Sequence, residues 1–140
     1  MIDRDVLIEK TNSIQNCMQR IHDTVKGDVT RLSDLDIQDI VVLNLQRAVQ
    51  LIIDMASYIV SMERLGMPQS LKELFQILEK NQYIAPELSV KMQKMVGFRN
   101  IAVHDYQAID LNILKSIVSL HLKDVEEFYE VIVKRFSPVR

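Results

Sequence analysis

With 140 residues, 48% of them apolar, the chain is long enough to close one hydrophobic core, and three glycines and three prolines are too few for the many turns of a β-sandwich or barrel. A balance of 17 basic against 19 acidic residues excludes the broad positive field of a protein that tracks nucleic-acid backbone, so any contact with RNA has to be local. The single cysteine, Cys17, leaves no intramolecular disulfide. With no signal peptide and no run of about 18 apolar residues, the sequence reads as that of a soluble, cytoplasmic protein with no membrane partner.

Leu7, Ile14, Met18, Ile21 and Val25 fall at spacings of three, four and seven, which predicts an amphipathic helix from about Asp3 to Lys26, stopped by Gly27. A second, longer helix is predicted from about Asp36 to Leu65, closed by Gly66. Its apolar residues, from Ile37 through Leu45, Val49, Ile52 and Met55 to Met62, occupy more than one stripe. So wide an apolar surface implies contact on two sides, either at the centre of a bundle or shared with a second chain. Ser70 and Glu73 form a capping-box pattern for a short helix to about Glu79, and Pro86 suits the first turn of the next. The final helix starts near Asp110, with Leu114, Val118, His121, Val125, Phe128 and Ile132 on its inner stripe. Ser137 to Arg140 are expected to fray. The sum is an all-α, up-and-down bundle of four long helices plus a short connecting helix, one domain over residues 1–140, with a two-fold homodimer as the common way to hide the surplus apolar stripe.

The helix that starts at Pro86 carries the chemistry. Its buried face is expected to hold Leu88, Met92, Met95, Val96, Ala102 and Val103, and Arg99 falls in the middle of that face. An unpaired buried guanidinium costs on the order of several kcal/mol, so Arg99 requires a partner, a water-filled cleft or an anionic ligand. A lone arginine in that position is most often structural, snorkelling out or pairing with a nearby acid. Here it stands five residues before His104 and seven before Tyr106. On one continuous helix Arg99 and Tyr106 share a face, while His104 points roughly 140° away. Convergence therefore needs a helix end or a second chain, and His104 is predicted at or beyond the last helical turn.

The spacing Arg99-x4-His104-x-Tyr106, with Asn100 directly after the arginine, resembles the signature of the HepT toxins of the HEPN superfamily. The order of elements extends the resemblance over nearly the whole chain: an N-terminal helix, a long apolar helix containing Leu45-Gln46-Arg47-Ala48-Val49, a short connector and a motif-bearing helix before the last. The resemblance implies an endoribonuclease toxin that uses neither metal nor cofactor and works as a homodimer, with motifs from both protomers lining one cleft. It implies Arg99 and His104 as the catalytic pair, Asn100 as a supporting residue, and Tyr106 as the tyrosine to which a partner nucleotidyltransferase antitoxin of the MntA type adds AMP.

The residue types suit that chemistry on their own terms. RNA is cut without metal when its 2′-hydroxyl attacks the adjacent phosphate, which needs a proton acceptor, a proton donor for the leaving oxygen, and positive charge on the phosphorane. Histidine serves the first two and arginine the third. Asn100 is expected to donate a hydrogen bond that holds one of the pair. The alternative reading is a non-catalytic HEPN module that binds a nucleotidyltransferase or a nucleotide, which the net charge of −2 favours slightly.

Other candidates carry less. His22 and His121 are expected as satisfied core or interface histidines, Cys17 as a buried structural thiol, and the methionines as packing residues. Asp34, Asp36 and Asp39 complement a helix dipole. Neither a metal-ligand spacing nor a glycine-rich phosphate loop is present.

Overall fold

A computed structural model describes residues 1–137, and among these the regular structure is entirely helical. In chain order the helices are α1 (Arg4–Val25), α2 (Leu35–Met62), α3 (Leu71–Lys80), α4 (Pro86–His104), α5 (Leu111–Ser116) and α6 (Leu122–Arg135). Short 3₁₀ turns at Val29–Ser33 and Tyr106–Ala108 lead into α2 and α5, and a π turn at Ile117–His121 joins α5 to α6. Counting α5, the π turn and α6 as one rod gives the expected four long helices, with α3 as the short connector.

The starts follow from local chemistry. Asp3, Asp34 and Asp110 each accept backbone N–H bonds from the first turn of the helix they precede, and Ser70 Oγ accepts from Glu73 N at 3.2 Å. Pro86 opens α4, where its missing N–H leaves nothing unsatisfied. Asp3 N also donates to Tyr58 Oη at 2.9 Å, tying the start of α1 to α2.

Two boundaries differ from the sequence expectation. α2 ends at Met62 rather than Leu65, because Arg64 turns left-handed at φ 54° and Leu65 N–H reaches back to Val60 O at 2.9 Å. Gly66 lies beyond this closure. The last helix is interrupted by the π turn, which inserts an extra residue into the hydrogen-bond ladder. The inner positions run Leu114, Ile117, Leu122, Val125, Phe128 and Ile132, a step of five across the insertion. Val118 and His121, expected inside, are thereby only half-buried. Ser137 is tied down, its Oγ donating to Val133 O at 2.8 Å; the rest of the segment expected to fray lies outside the described residues.

One cluster of buried side chains runs through the bundle, with Phe75 and Phe128 meeting edge to face at 5.7 Å. α2 is the central helix, packed by α1, α3, α4 and α6. By length and composition alone it is apolar enough to cross a membrane, but its Val41, Leu45, Ala48, Ile52, Met55 and Ile59 are buried in the bundle. Most of the two-stripe breadth is thus consumed within one chain, while Leu43 and Met62 of α2 stay exposed. Further exposed apolar side chains include Ile101 and Val103 at the end of α4, with Ile113 and Leu120 on the rod that follows.

Candidate functional site at the end of α4

Leu88, Met92, Met95, Val96 and Ala102 are buried as expected, which fixes the rotation of α4 and turns Arg99 toward α2. Val103 does not join them and stands 41% exposed. The Arg99 guanidinium is held from two sides: Nη2 donates to Gln50 Oε1 at 2.8 Å and Nη1 to Asn100 Oδ1 at 3.0 Å. Asn100 therefore accepts from the arginine instead of donating. Gln50 is fixed in turn by its Nε2 donating to Asp54 Oδ1 at 3.0 Å, one turn along α2. Arg99 Nε is buried with no acceptor, and among the described residues no carboxylate forms an ion pair with this guanidinium; both ion pairs found belong to Asp124. The cation is positioned by neutral amides and left electrostatically unspent. A carboxylate partner would have neutralised it; amides aim it and leave its charge for an anion.

His104 is the last residue of α4 and is exposed, as the sequence predicts. Asp105 breaks the helix at φ −152° and ψ 68°, and its N–H still bonds Ile101 O at 2.8 Å. The chain re-enters a 3₁₀ turn at Tyr106, so Tyr106 does not continue the α4 face. Its hydroxyl donates a hydrogen bond to Asp39 Oδ1 in the second turn of α2. Burial, then the hydrogen bond and negative charge of Asp39, push the phenol up to about 12. In one chain, then, Arg99 faces α2, His104 faces solvent and Tyr106 is latched to α2. No hydrogen bond joins the first two.

Gln50, Asp54 and Asp39 were missed by sequence reasoning. Gln50 and Asp54 sit four apart as polar residues inside an apolar helix, a signal that was available. Asp39 does more than complement a dipole, since it holds the phenol. Of the lesser candidates, His121 Nδ1 lies 2.9 Å from Asp124 Oδ2, whose other oxygen is 3.5 Å from Lys91 Nζ, so this histidine is satisfied although half-exposed. His22 is exposed, contrary to expectation. Cys17 is half-buried and its thiol is pushed up by burial, partly offset by Arg47, which makes it a poor nucleophile. A cavity of about 550 Å³ beside α4 is lined by Lys72, Lys91, Lys94, Phe98, Ile101 and His121, among others, and includes neither Arg99 nor His104. Among the described residues no three His, Cys, Asp or Glu side chains cluster as a metal site.

The fold is that of the HEPN toxins. A solved structure described as tri-AMPylated Shewanella oneidensis HEPN toxin in complex with MNT antitoxin matches with a TM-score of 0.86 at 43% identity, over 94% of this chain and 98% of the other. A crystal structure of a toxin–antitoxin with AMP-PNP matches with a TM-score of 0.87 at 43% identity, over 91% and 97%. The mRNA nuclease HepT of Shewanella oneidensis is 44% identical over 129 residues, 91% of this chain and 96% of that relative. The family profile described as Ribonuclease HepT-like matches residues 14–132, and the chain belongs to that family.

Proposed function

We propose that this protein is the ribonuclease toxin of a toxin–antitoxin pair, cleaving RNA in the cytoplasm through Arg99 and His104. The observation that carries the reading is the state of Arg99: a half-buried cation, oriented by Gln50 and Asn100, with no acidic partner among the described residues. Such a group is prepared for an anion that arrives from outside, and the scissile phosphate is that anion. The printed name of the curated relative, an mRNA nuclease, supports an RNA substrate.

His104 takes the 2′-hydroxyl proton as that oxygen attacks phosphorus and returns a proton to the leaving 5′-oxygen. Arg99 binds the phosphorane, and Asn100 holds the guanidinium in place. The chain's own base and cation meet the needs of the step without a metal ion. Since Arg99 and His104 diverge within one chain, the working site is composite, formed where two copies meet across the exposed Ile101 and Val103 at the end of α4.

Tyr106 is the acceptor for AMP delivered by a nucleotidyltransferase antitoxin of the MntA type. The solved relative that is AMPylated and bound to an MNT antitoxin supports this partner. Each AMP adds bulk and a phosphodiester anion two residues from His104, replacing attraction for RNA with repulsion. Cells expressing the wild type alone should stop growing and accumulate RNA fragments, while Arg99→Ala and His104→Ala at matched soluble levels should do neither. Harmless wild-type expression with intact RNA would overturn the toxin reading.

A further inference from the structure

Within this site Asp39 has no task in the cleavage reaction, and complementing the helix dipole does not account for its contact with Tyr106. It lies 67 residues from Tyr106 in sequence, on another helix, yet its carboxylate is the hydrogen-bond acceptor for the Tyr106 hydroxyl. Among the described residues Asp39 forms no ion pair, so its charge is not spent on a cation. We propose that Asp39 is the proton acceptor for nucleotidyl transfer to Tyr106. As Tyr106 Oη forms a bond to the α-phosphorus of ATP, the bond from that phosphorus to the oxygen bridging the α and β phosphates breaks and pyrophosphate leaves. The phenolic proton passes to the Asp39 carboxylate. The inference rests on the reading of Tyr106 as the AMP acceptor.

Three features carry it. The Tyr106 hydroxyl is already hydrogen-bonded to the Asp39 carboxylate, so transfer needs no rearrangement of this chain. The hydrogen bond occupies the proton and leaves a phenolic lone pair free for phosphorus. Finally, with the phenol held near 12, about one molecule in 10⁵ carries a phenolate at neutral pH, so attack by preformed phenolate is a poor route. As the new P–O bond forms, the phenolic oxygen becomes strongly acidic and a carboxylate suffices as base.

The test uses the full chain with an MntA-type nucleotidyltransferase, ATP and magnesium, followed by intact mass. The wild type is expected to gain AMP on Tyr106. Asp39→Asn should lower the turnover of that addition about 100-fold with the KM for ATP unchanged, and Asp39→Glu should recover part of it. Replacing Tyr106 with a fluorinated tyrosine, whose phenol is more acidic, should restore the rate of Asp39→Asn; a purely structural role for Asp39 predicts no such rescue. Matched melting temperatures establish that the variants are folded. An Asp39→Asn protein modified at the wild-type rate, or a slow one that the fluorinated phenol does not improve, overturns the proposal and leaves Tyr106 as the acceptor. A wild type that takes up no AMP overturns both.

Discussion

The two halves of α4 obey different rules. From Leu88 to Val96 the helix is a packing element, with Leu88, Ser89, Met92, Met95 and Val96 all buried. From Arg99 to His104 it carries a cation with no carboxylate partner among the described residues, a buried Nε without an acceptor there, an exposed imidazole and two exposed aliphatic side chains. The first half meets the preferences of a folded core along its inner face, with Val90 exposed on the outer one. The second leaves several unmet, and unmet preferences in a folded protein mark the places where a ligand or partner completes the chemistry. Stability and activity should therefore separate cleanly along a single helix.

The sharpest break is expected at His104. His104→Ala should reduce RNA cleavage by about 10²–10⁴-fold while leaving the melting temperature nearly unchanged, because the side chain is exposed. Arg99→Ala should cost about 10²–10³-fold in cleavage, and Arg99→Lys should fail to rescue it, since an ammonium cannot engage Gln50 and Asn100 as a planar fork does. Removing the partnerless Nε should leave Arg99→Ala no less stable than wild type in urea unfolding. Met92→Ala, in the packing half, should do the reverse: a loss of about 2–5 kcal/mol in urea unfolding with the activity per folded molecule retained. Equal effects of Met92→Ala and Arg99→Ala on stability would erase the division.

Smaller effects sharpen it further. Gln50→Ala frees the guanidinium from α2 and should lower cleavage roughly 10-fold, with little change in overall fold. The Tyr106 latch should show at high pH. The phenol is held up at about 12 in the folded protein against about 10 in the unfolded chain, so its contribution to stability is complete below pH 10 and is lost as pH rises through about 12. In Asp39→Asn that window should narrow toward pH 10, read by near-ultraviolet titration against a Tyr106→Phe control.

Much of this was legible in the sequence because it is local. Asp3, Asp34, Ser70 and Pro86 announce helix starts through their own side chains, and Arg99 in an apolar stripe announces a site. The end of α4 at His104 could be argued from the polar segment after it. The contacts of Arg99 with Gln50 and of Tyr106 with Asp39 could not, since each joins residues distant in sequence and depends on how α4 rotates against α2. The π turn was hidden for a related reason: its spacing of five between Ile117 and Leu122 is invisible to a search for steps of three and four. The left-handed turn at Arg64 had no glycine to mark it. The breadth of α2 points mostly inward, to α1, α3, α4 and α6, while helical spacing assigns Val103 to the buried face and gives no sign that it stands exposed with Ile101.

Cleavage of an end-labelled RNA by the purified protein in EDTA, beside Arg99→Ala and His104→Ala prepared in the same way, tests the central claim most directly. Fragments ending in a 2′,3′-cyclic phosphate from the wild type, and none from either variant, are the predicted result. Variants that cut as well as the wild type, or a wild type that cuts only when magnesium is restored, would contradict it.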